Sequence, residues 1–197
     1  CPPDDWGVAP VYHKTETCGS YVWEAPISNY ATDLKRLHPP QFEIDWETTR
    51  GTLQIAQDIF SGILTVRQKA IWWWSLGLTW PAATFRGLNN ILVDFVDHPD
   101  ELKELLRLIS NGYMKKLDYL EAEGLLSLNN DGTYVGSGGF GFTDQLPNDG
   151  FSDKVRCCDL WGFTESQETV SVSPAMYEAF VFPYEKPIMD RFGLTCY

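Results

Sequence analysis

The sequence predicts an α/β fold in which helices connect parallel β-strands. Three short, β-prone segments recur along the chain, at residues 71–78, 125–128 and 194–197. Segments with helical periodicity lie between them, and each connection is long enough for the crossover that parallel pairing requires. A helix start at Ser173-Pro174 precedes the last β-prone segment, because Ser can cap a helix and Pro fits its first position.

The composition is that of a globular protein and excludes several classes of partner. The 197 residues are 44% hydrophobic, which suffices for a core, and the length suggests about one domain. The formal net charge of -12 leaves no basic patch for nucleic acid or an anionic membrane. No apolar run reaches the roughly 20 residues that span a bilayer, and no signal-peptide pattern opens the chain. We therefore expect a soluble, cytoplasmic protein.

The cysteines and the chain ends carry two further expectations. The five cysteines are odd in number and irregularly spaced, which favours reduced thiols over a disulfide framework. The sequence begins at Cys1 without a Met and stops a few residues into a predicted strand. We expect it to be a fragment of a longer protein.

Elements in the first half follow from turn residues and periodicity. Two β-prone runs, at 11–14 and 21–24, flank the turn-forming Cys18-Gly19-Ser20 and predict a hairpin outside the main body. A short helix is expected over 30–37, and an amphipathic helix over 47–60. The uncharged segment 70–80, AIWWWSLGLTW, predicts a buried strand.

Elements in the second half are read in the same way. Thr84 is expected to cap a helix that runs to residue 95, and Pro99 begins a long helix whose charged residues form a solvated face. The glycine-rich segment 132–153 lacks a phosphate-loop pattern and predicts a flexible or lid-like loop. Residues 155–160 predict another strand, and Pro183 and Pro187 predict a helix that is kinked or split near Phe182.

Three stretches of the sequence resemble the uroporphyrinogen decarboxylase superfamily. They are Asp5-Trp6-Gly7-Val8, the segment from Thr79 to Leu106, and Asp159-Leu160-Trp161-Gly162 with Ser166-Gln167-Glu168 and SPAMYEAFVFPYEKPI. The last stretch is similar to the branch of corrinoid and coenzyme M methyltransferases. The sequence departs from the superfamily pattern in that its N-terminal Arg-bearing segment for substrate carboxylates has no counterpart, and from the methyltransferases in that no His-x-Cys zinc motif is visible.

The resemblance implies a (β/α)8 TIM barrel whose site lies at the C-terminal ends of the strands. Three parallel strands cannot close a barrel, so residues 1–197 are expected to form one barrel domain that is incomplete at both ends. Its N-terminal hairpin is an excursion around residues 1–30.

The resemblance also implies a set of residues at the barrel mouth. Asp159 and Glu168 are the catalytic candidates, with the alternative that they only order the loop and cap the following helix. Cys196 is a candidate zinc ligand, with a buried thiol as the alternative. The remaining candidates contact substrate, and they are Trp80, Arg86, Asn129, Trp161, Gln167 and Tyr197.

Three functions remain open from the sequence. The first is methyl transfer between a corrinoid or folate-type carrier and a small substrate, with zinc as a cofactor and a corrinoid protein as a partner. The second is decarboxylation of a tetrapyrrole, for which Arg86, Lys154 and Arg156 are the only cations near predicted strand ends. The third is a binding domain of the same fold without catalysis.

Overall fold

The protein has a mixed α/β fold, as the sequence predicts. The structure, a computed structural model, describes residues 4–14, 21–137 and 139–197. Within these ranges there are seven α-helices and three separate two-stranded sheets, none of which closes into a barrel. The helices are α1 (Tyr30–Asp33), α2 (Trp46–Phe60), α3 (Thr79–Arg86), α4 (Leu88–Asp97), α5 (Pro99–Ala122), α6 (Pro174–Phe180) and α7 (Phe182–Met189). The strands are β1 (Val11–Lys14), β2 (Tyr21–Glu24), β3 (Asp131–Gly136), β4 (Gly139–Phe142), β5 (Trp161–Phe163) and β6 (Leu194–Cys196).

Two of the sheets are antiparallel hairpins. β1 pairs with β2, which confirms the predicted N-terminal hairpin, while its turn at Cys18-Gly19-Ser20 lies outside the described residues. β3 pairs with β4 in the glycine-rich segment. The expectation of a flexible loop there is wrong for residues 132–136 and 139–142, since backbone pairing such as Tyr134 with Phe140 orders them.

The third sheet is parallel and contains the last strand that the sequence predicts. Trp161 pairs with Leu194 and Phe163 with Cys196, and helices α6 and α7 form the crossover between the two strands. The division between α6 and α7 falls at Val181, so the predicted split near Phe182 is confirmed. The backbone N–H of Leu76 donates to Phe163 O at 2.9 Å, which brings the preceding segment alongside β5.

The other predicted strands are wrong, since residues 71–78, 125–128 and 155–160 form no strand. Side-chain bonds link the first two segments instead of a backbone ladder. The Trp72 indole N–H donates to Leu125 O at 2.8 Å, and the Ser127 hydroxyl accepts from the N–H of Ala70, the residue before the first segment. Residues 155–160 contain a 3₁₀ turn, Cys157–Asp159, instead of a strand.

Helix boundaries also differ from the prediction at one place. The helix expected to start at Thr84 is two helices, α3 and α4, which meet at Gly87. Gly87 has a φ of 92°, a conformation that residues with a Cβ rarely adopt, so the chain turns there. Thr84 therefore lies inside α3 and does not cap a helix.

Helix α5 forms the centre of the core. Its apolar stripe is at most 1% exposed and packs against α4 and α7. The stripe comprises Leu102, Leu105, Leu106, Ile109, Leu117 and Leu120. The solvated face predicted for this helix has one exception, because Lys116 is 7% exposed and donates to Asp4 Oδ2 at 2.6 Å and to Trp72 O at 3.0 Å.

Helix α2 has the predicted amphipathic pattern but no buried side chain. The Asp45 carboxylate caps its first turn by accepting from the Thr48 N–H at 2.9 Å. Ile55 and Ile59 on its apolar side are 62% and 63% exposed. None of the described helices is long and apolar enough to cross a bilayer.

A buried ion pair joins α3 and α4. Asp94 is 1% exposed and accepts from Arg86 Nε at 2.7 Å and from the Tyr30 hydroxyl at 2.6 Å. Arg86 Nη1 also donates to Ser28 O at 2.9 Å, and its guanidinium lies 4.6 Å from the centre of the Tyr30 ring. Removing one partner would leave the other charge buried and unpaired.

We predict that Asp94→Ala lowers the free energy of unfolding by about 3–5 kcal/mol, because the Arg86 guanidinium then loses its carboxylate in the core. Asp97→Ala removes an exposed carboxylate from the same helix and is the matched control, with an expected change within about 0.5 kcal/mol. Urea unfolding of both variants measures the difference. Equal, small effects would contradict the structural role of the Arg86–Asp94 pair.

Candidate functional site

The loop after β5, residues 164–169, separates two clefts at the C-terminal end of the parallel strands. The Thr164 N–H donates to Cys196 O at 3.2 Å, which holds the start of the loop to β6, and the Thr169 N–H donates to Ser166 O at 3.0 Å, which closes a turn inside the loop. A Cβ at Gly77 would lie 2.1 Å from Glu165 O, and only glycine allows this approach of backbone to loop. The loop is therefore fixed against the segment that leads into α3.

The first cleft, which we call the tryptophan cleft, lies between this segment and loop 164–169. Its volume is about 610 Å³. Aromatic side chains form its walls, namely Trp72, Trp73, Trp74, Trp80 and Tyr113. Its charged side chains are three carboxylates and one ammonium group, those of Asp4, Glu165, Glu168 and Lys116.

Three of the predicted site residues meet at the tryptophan cleft. Glu168 Oε2 accepts from the Thr79 hydroxyl at 2.6 Å, and Thr79 is the first residue of α3 and is 1% exposed. Trp80 follows Thr79 and is 46% exposed. Gln167 Nε2 donates to Glu165 Oε2 at 3.0 Å. The contact between Thr79 and Glu168 therefore fixes a carboxylate beside an aromatic wall.

The second cleft, which we call the β6 cleft, has a volume of about 730 Å³ and contains two further predicted residues. The Tyr197 and Ser166 hydroxyl oxygens are 2.5 Å apart. The Cys196 thiol donates to Gly162 O at 3.7 Å, and partial burial raises its pKa, which keeps it protonated at neutral pH. Within the described ranges no three His, Cys, Asp or Glu side chains form a metal-binding group, so the zinc ligand remains a prediction.

Glu185 in the β6 cleft is a candidate that the sequence reasoning missed. Its side chain is 3% exposed, Oε2 accepts from the Tyr177 hydroxyl, and Oε1 has no partner among the described residues. Burial raises the pKa of this carboxyl. The sequence signal that could have identified Glu185 as buried is its spacing. Val181, Glu185 and Ile188 occupy successive turns of one buried helix face.

Asp159 lies away from both clefts. It is fully buried in the turn before β5, at the opposite end of that strand from loop 164–169. Its carboxylate accepts from the Arg156 N–H at 2.9 Å and from Arg156 Nε at 3.0 Å. Burial alone would raise the pKa of Asp159, but these bonds outweigh it and hold the pKa below the ordinary value. The structure does not bring Asp159 and Glu168 together.

The other predicted residues, Arg86, Asn129 and Trp161, line neither cleft. Arg86 is bonded to Asp94, as described above. Asn129 bonds both backbone groups of Trp161, donating to its carbonyl at 3.1 Å and accepting from its N–H at 2.9 Å. This contact holds the first residue of β5 at the end opposite the clefts.

Comparisons with known proteins add no relative. No protein-family model, no curated protein and no solved structure matches the chain. The resemblance to the uroporphyrinogen decarboxylase superfamily therefore remains a prediction from the residues quoted above.

We predict that Glu185→Gln changes the dependence of stability on pH. Because the pKa of Glu185 is raised in the folded state, the stability contributed by its neutral carboxyl is present below the unfolded pKa. That contribution is lost as the pH rises through the folded pKa. The variant should match the parent protein near pH 4 and exceed its free energy of unfolding near pH 8, by about 1.4 kcal/mol per unit of raised pKa.

Urea unfolding at several pH values measures this difference. Glu178→Gln, on the exposed side of α6, is the control and should follow the parent protein at every pH. A Glu185→Gln variant that is equally destabilised at pH 4 and pH 8 would show that the carboxyl is not held neutral by burial.

Proposed function

We propose that the protein is an enzyme that transfers a methyl group between a carrier and a small substrate held in the tryptophan cleft. The observation that carries this proposal is the meeting of Glu168, Gln167 and Trp80 on one cleft. The sequence resemblance implies that these three residues lie at the substrate site. The resemblance and the geometry of the cleft thus support the same location for the site.

The dimensions of the cleft suit a small substrate. Small-molecule sites have volumes of about 300–1,000 Å³, and the tryptophan cleft has about 610 Å³. A corrinoid, with its macrocycle and nucleotide tail, is too large to be enclosed there. Such a carrier, when bound, supplies the atom that gives or takes the methyl group, and we expect it to belong to a partner protein.

The residues of the cleft have positioning and electrostatic roles in this proposal. Transfer between two bound groups requires the reacting atoms to be aligned, and most of the rate comes from that alignment and from fixed charges. Gln167 and Glu168 can hydrogen-bond the substrate, while Thr79 keeps Glu168 in one orientation. The indole walls, Trp80 among them, displace water from the bound substrate.

The charge of the cleft favours methyl transfer over tetrapyrrole decarboxylation. A substrate rich in carboxylates needs cations, but the cleft has three carboxylates against the single ammonium group of Lys116. The other cations considered above have partners elsewhere: Arg86 pairs with Asp94, Arg156 with Asp159, and Lys154 donates to Ala122 O at 2.8 Å.

We predict that Glu168→Gln lowers kcat/KM for methyl transfer by about 10- to 100-fold, since a hydrogen bond to a charged group contributes roughly 1.5–3 kcal/mol. The assay follows the visible spectrum of methylcobalamin as a panel of small thiols and amines is added. Glu123→Gln, at an exposed position after α5, is the control and should leave the rate unchanged.

The same assay on the unsubstituted protein tests whether it transfers methyl groups at all. Demethylation of methylcobalamin by any member of the panel, dependent on the protein, would support the proposed function. No spectral change with the whole panel would contradict it and favour a binding domain without catalysis.

A further inference from the structure

We propose that the tryptophan cleft binds a quaternary ammonium cation, of the kind found in choline. That this cation is the substrate rests on the proposed methyl transfer. That the cleft binds the cation rests only on the walls and the charge of the cleft.

The walls supply aromatic faces, which attract cations through the negative potential above the ring. Indole is the strongest of the protein side chains in this respect. Trp74 and Trp80 are 61% and 46% exposed, so part of each ring is open to a ligand. The rings behind them are fixed, because Trp72 donates to Leu125 O and Trp73 lies against Phe192 with ring centres 5.8 Å apart. The wall is thus preorganised on one side and accessible on the other.

The charges in the cleft leave a negative excess. The Asp4 carboxylate is neutralised by Lys116, whose Nζ lies 2.6 Å from it. Glu165 and Glu168 have no basic partner among the described residues, since their bonds come from the Gln167 amide and the Thr79 hydroxyl. Two carboxylates in a partly enclosed, aromatic cleft strengthen the attraction for a cation beyond its value in water.

The chemistry of the walls selects the type of cation. A bare ammonium ion or a metal ion is strongly hydrated and needs several oxygen ligands, and within the described ranges no metal-binding group is present. A quaternary ammonium has no N–H group to satisfy, is weakly hydrated and presents methyl groups to indole faces.

The test compares choline with 3,3-dimethyl-1-butanol, which has the same shape but a carbon atom in place of the charged nitrogen. Titration calorimetry should give a dissociation constant for choline about 10-fold lower than that for the neutral alcohol, because a desolvated cation–π contact contributes about 1–2 kcal/mol. Equal affinities, or no binding of choline, would overturn the proposal.

Two variants with matched exposure locate the site. Trp80 and Trp46 are each 46% exposed, but Trp46 begins α2 and lies outside the cleft. Trp80→Ala should weaken choline binding about 10-fold, whereas Trp46→Ala should leave it unchanged. Glu168→Gln should weaken the binding of choline and leave that of the alcohol unchanged. Equal losses in Trp80→Ala and Trp46→Ala would overturn the assignment, and circular dichroism verifies that each variant is folded.

The outcomes also separate this inference from the proposed function. Selective choline binding without any transfer from choline to a corrinoid would support the ammonium site and contradict methyl transfer of this substrate. Methyl transfer to a thiol without selective binding of choline would support the proposed function and overturn the ammonium site.

Discussion

The hydrogen bond from the Leu76 N–H to Phe163 O, at 2.9 Å, joins the tryptophan-rich segment to the parallel pair of strands. The site depends on this junction, because the chain leaves Leu76 toward α3 and leaves Phe163 toward loop 164–169. The absence of a side chain at Gly77 then allows the two backbones to approach. The contact between Thr79 and Glu168 follows directly, since each lies a few residues beyond the junction.

Buried and half-buried ion pairs explain why the tryptophan cleft is acidic. Such pairs contribute little net stability, but breaking one lowers the free energy of unfolding because it leaves a buried charge without a partner. Arg86 forms an ion pair with Asp94, Arg156 with Asp159, and Lys116 with Asp4. These three cations therefore hold the fold together and are not free to bind a carboxylate-rich ligand. Glu165 and Glu168 retain their negative charge on the open side of the loop, and that charge underlies both the proposed function and the choice of a cationic substrate.

Local signals predicted most helix starts and ends, because these are decided within a few residues, but they missed the start of α3 at Thr79. Ser173 caps α6 by accepting from the Met176 N–H at 3.3 Å, and Pro99 begins α5. Strands were predicted poorly because they depend on distant partners. The segment 70–80 has the composition of a buried strand, but its indoles bond and pack against different neighbours, which the sequence does not reveal.

The candidate site was predicted in part for the same reason. Trp80, Gln167 and Glu168 lie next to a helix start and a loop that local patterns identify, and the structure brings them to one cleft. Asp159 occupies the same stretch of sequence, but it is one strand length away and bonded to Arg156. Glu185 was hidden because a single Glu in an apolar helix resembles a surface residue until the buried face is known.

Fluorine NMR of protein labelled with 5-fluorotryptophan tests the central claim most directly, because the tryptophan cleft contains four of the eight tryptophans, Trp72, Trp73, Trp74 and Trp80. Single Trp→Phe variants assign the resonances. On addition of choline, we expect shifts at Trp74 and Trp80 that saturate together, with Trp46 unchanged. Shifts at Trp46 of the same size, or no shift at Trp74 and Trp80, would contradict a cation site in the tryptophan cleft.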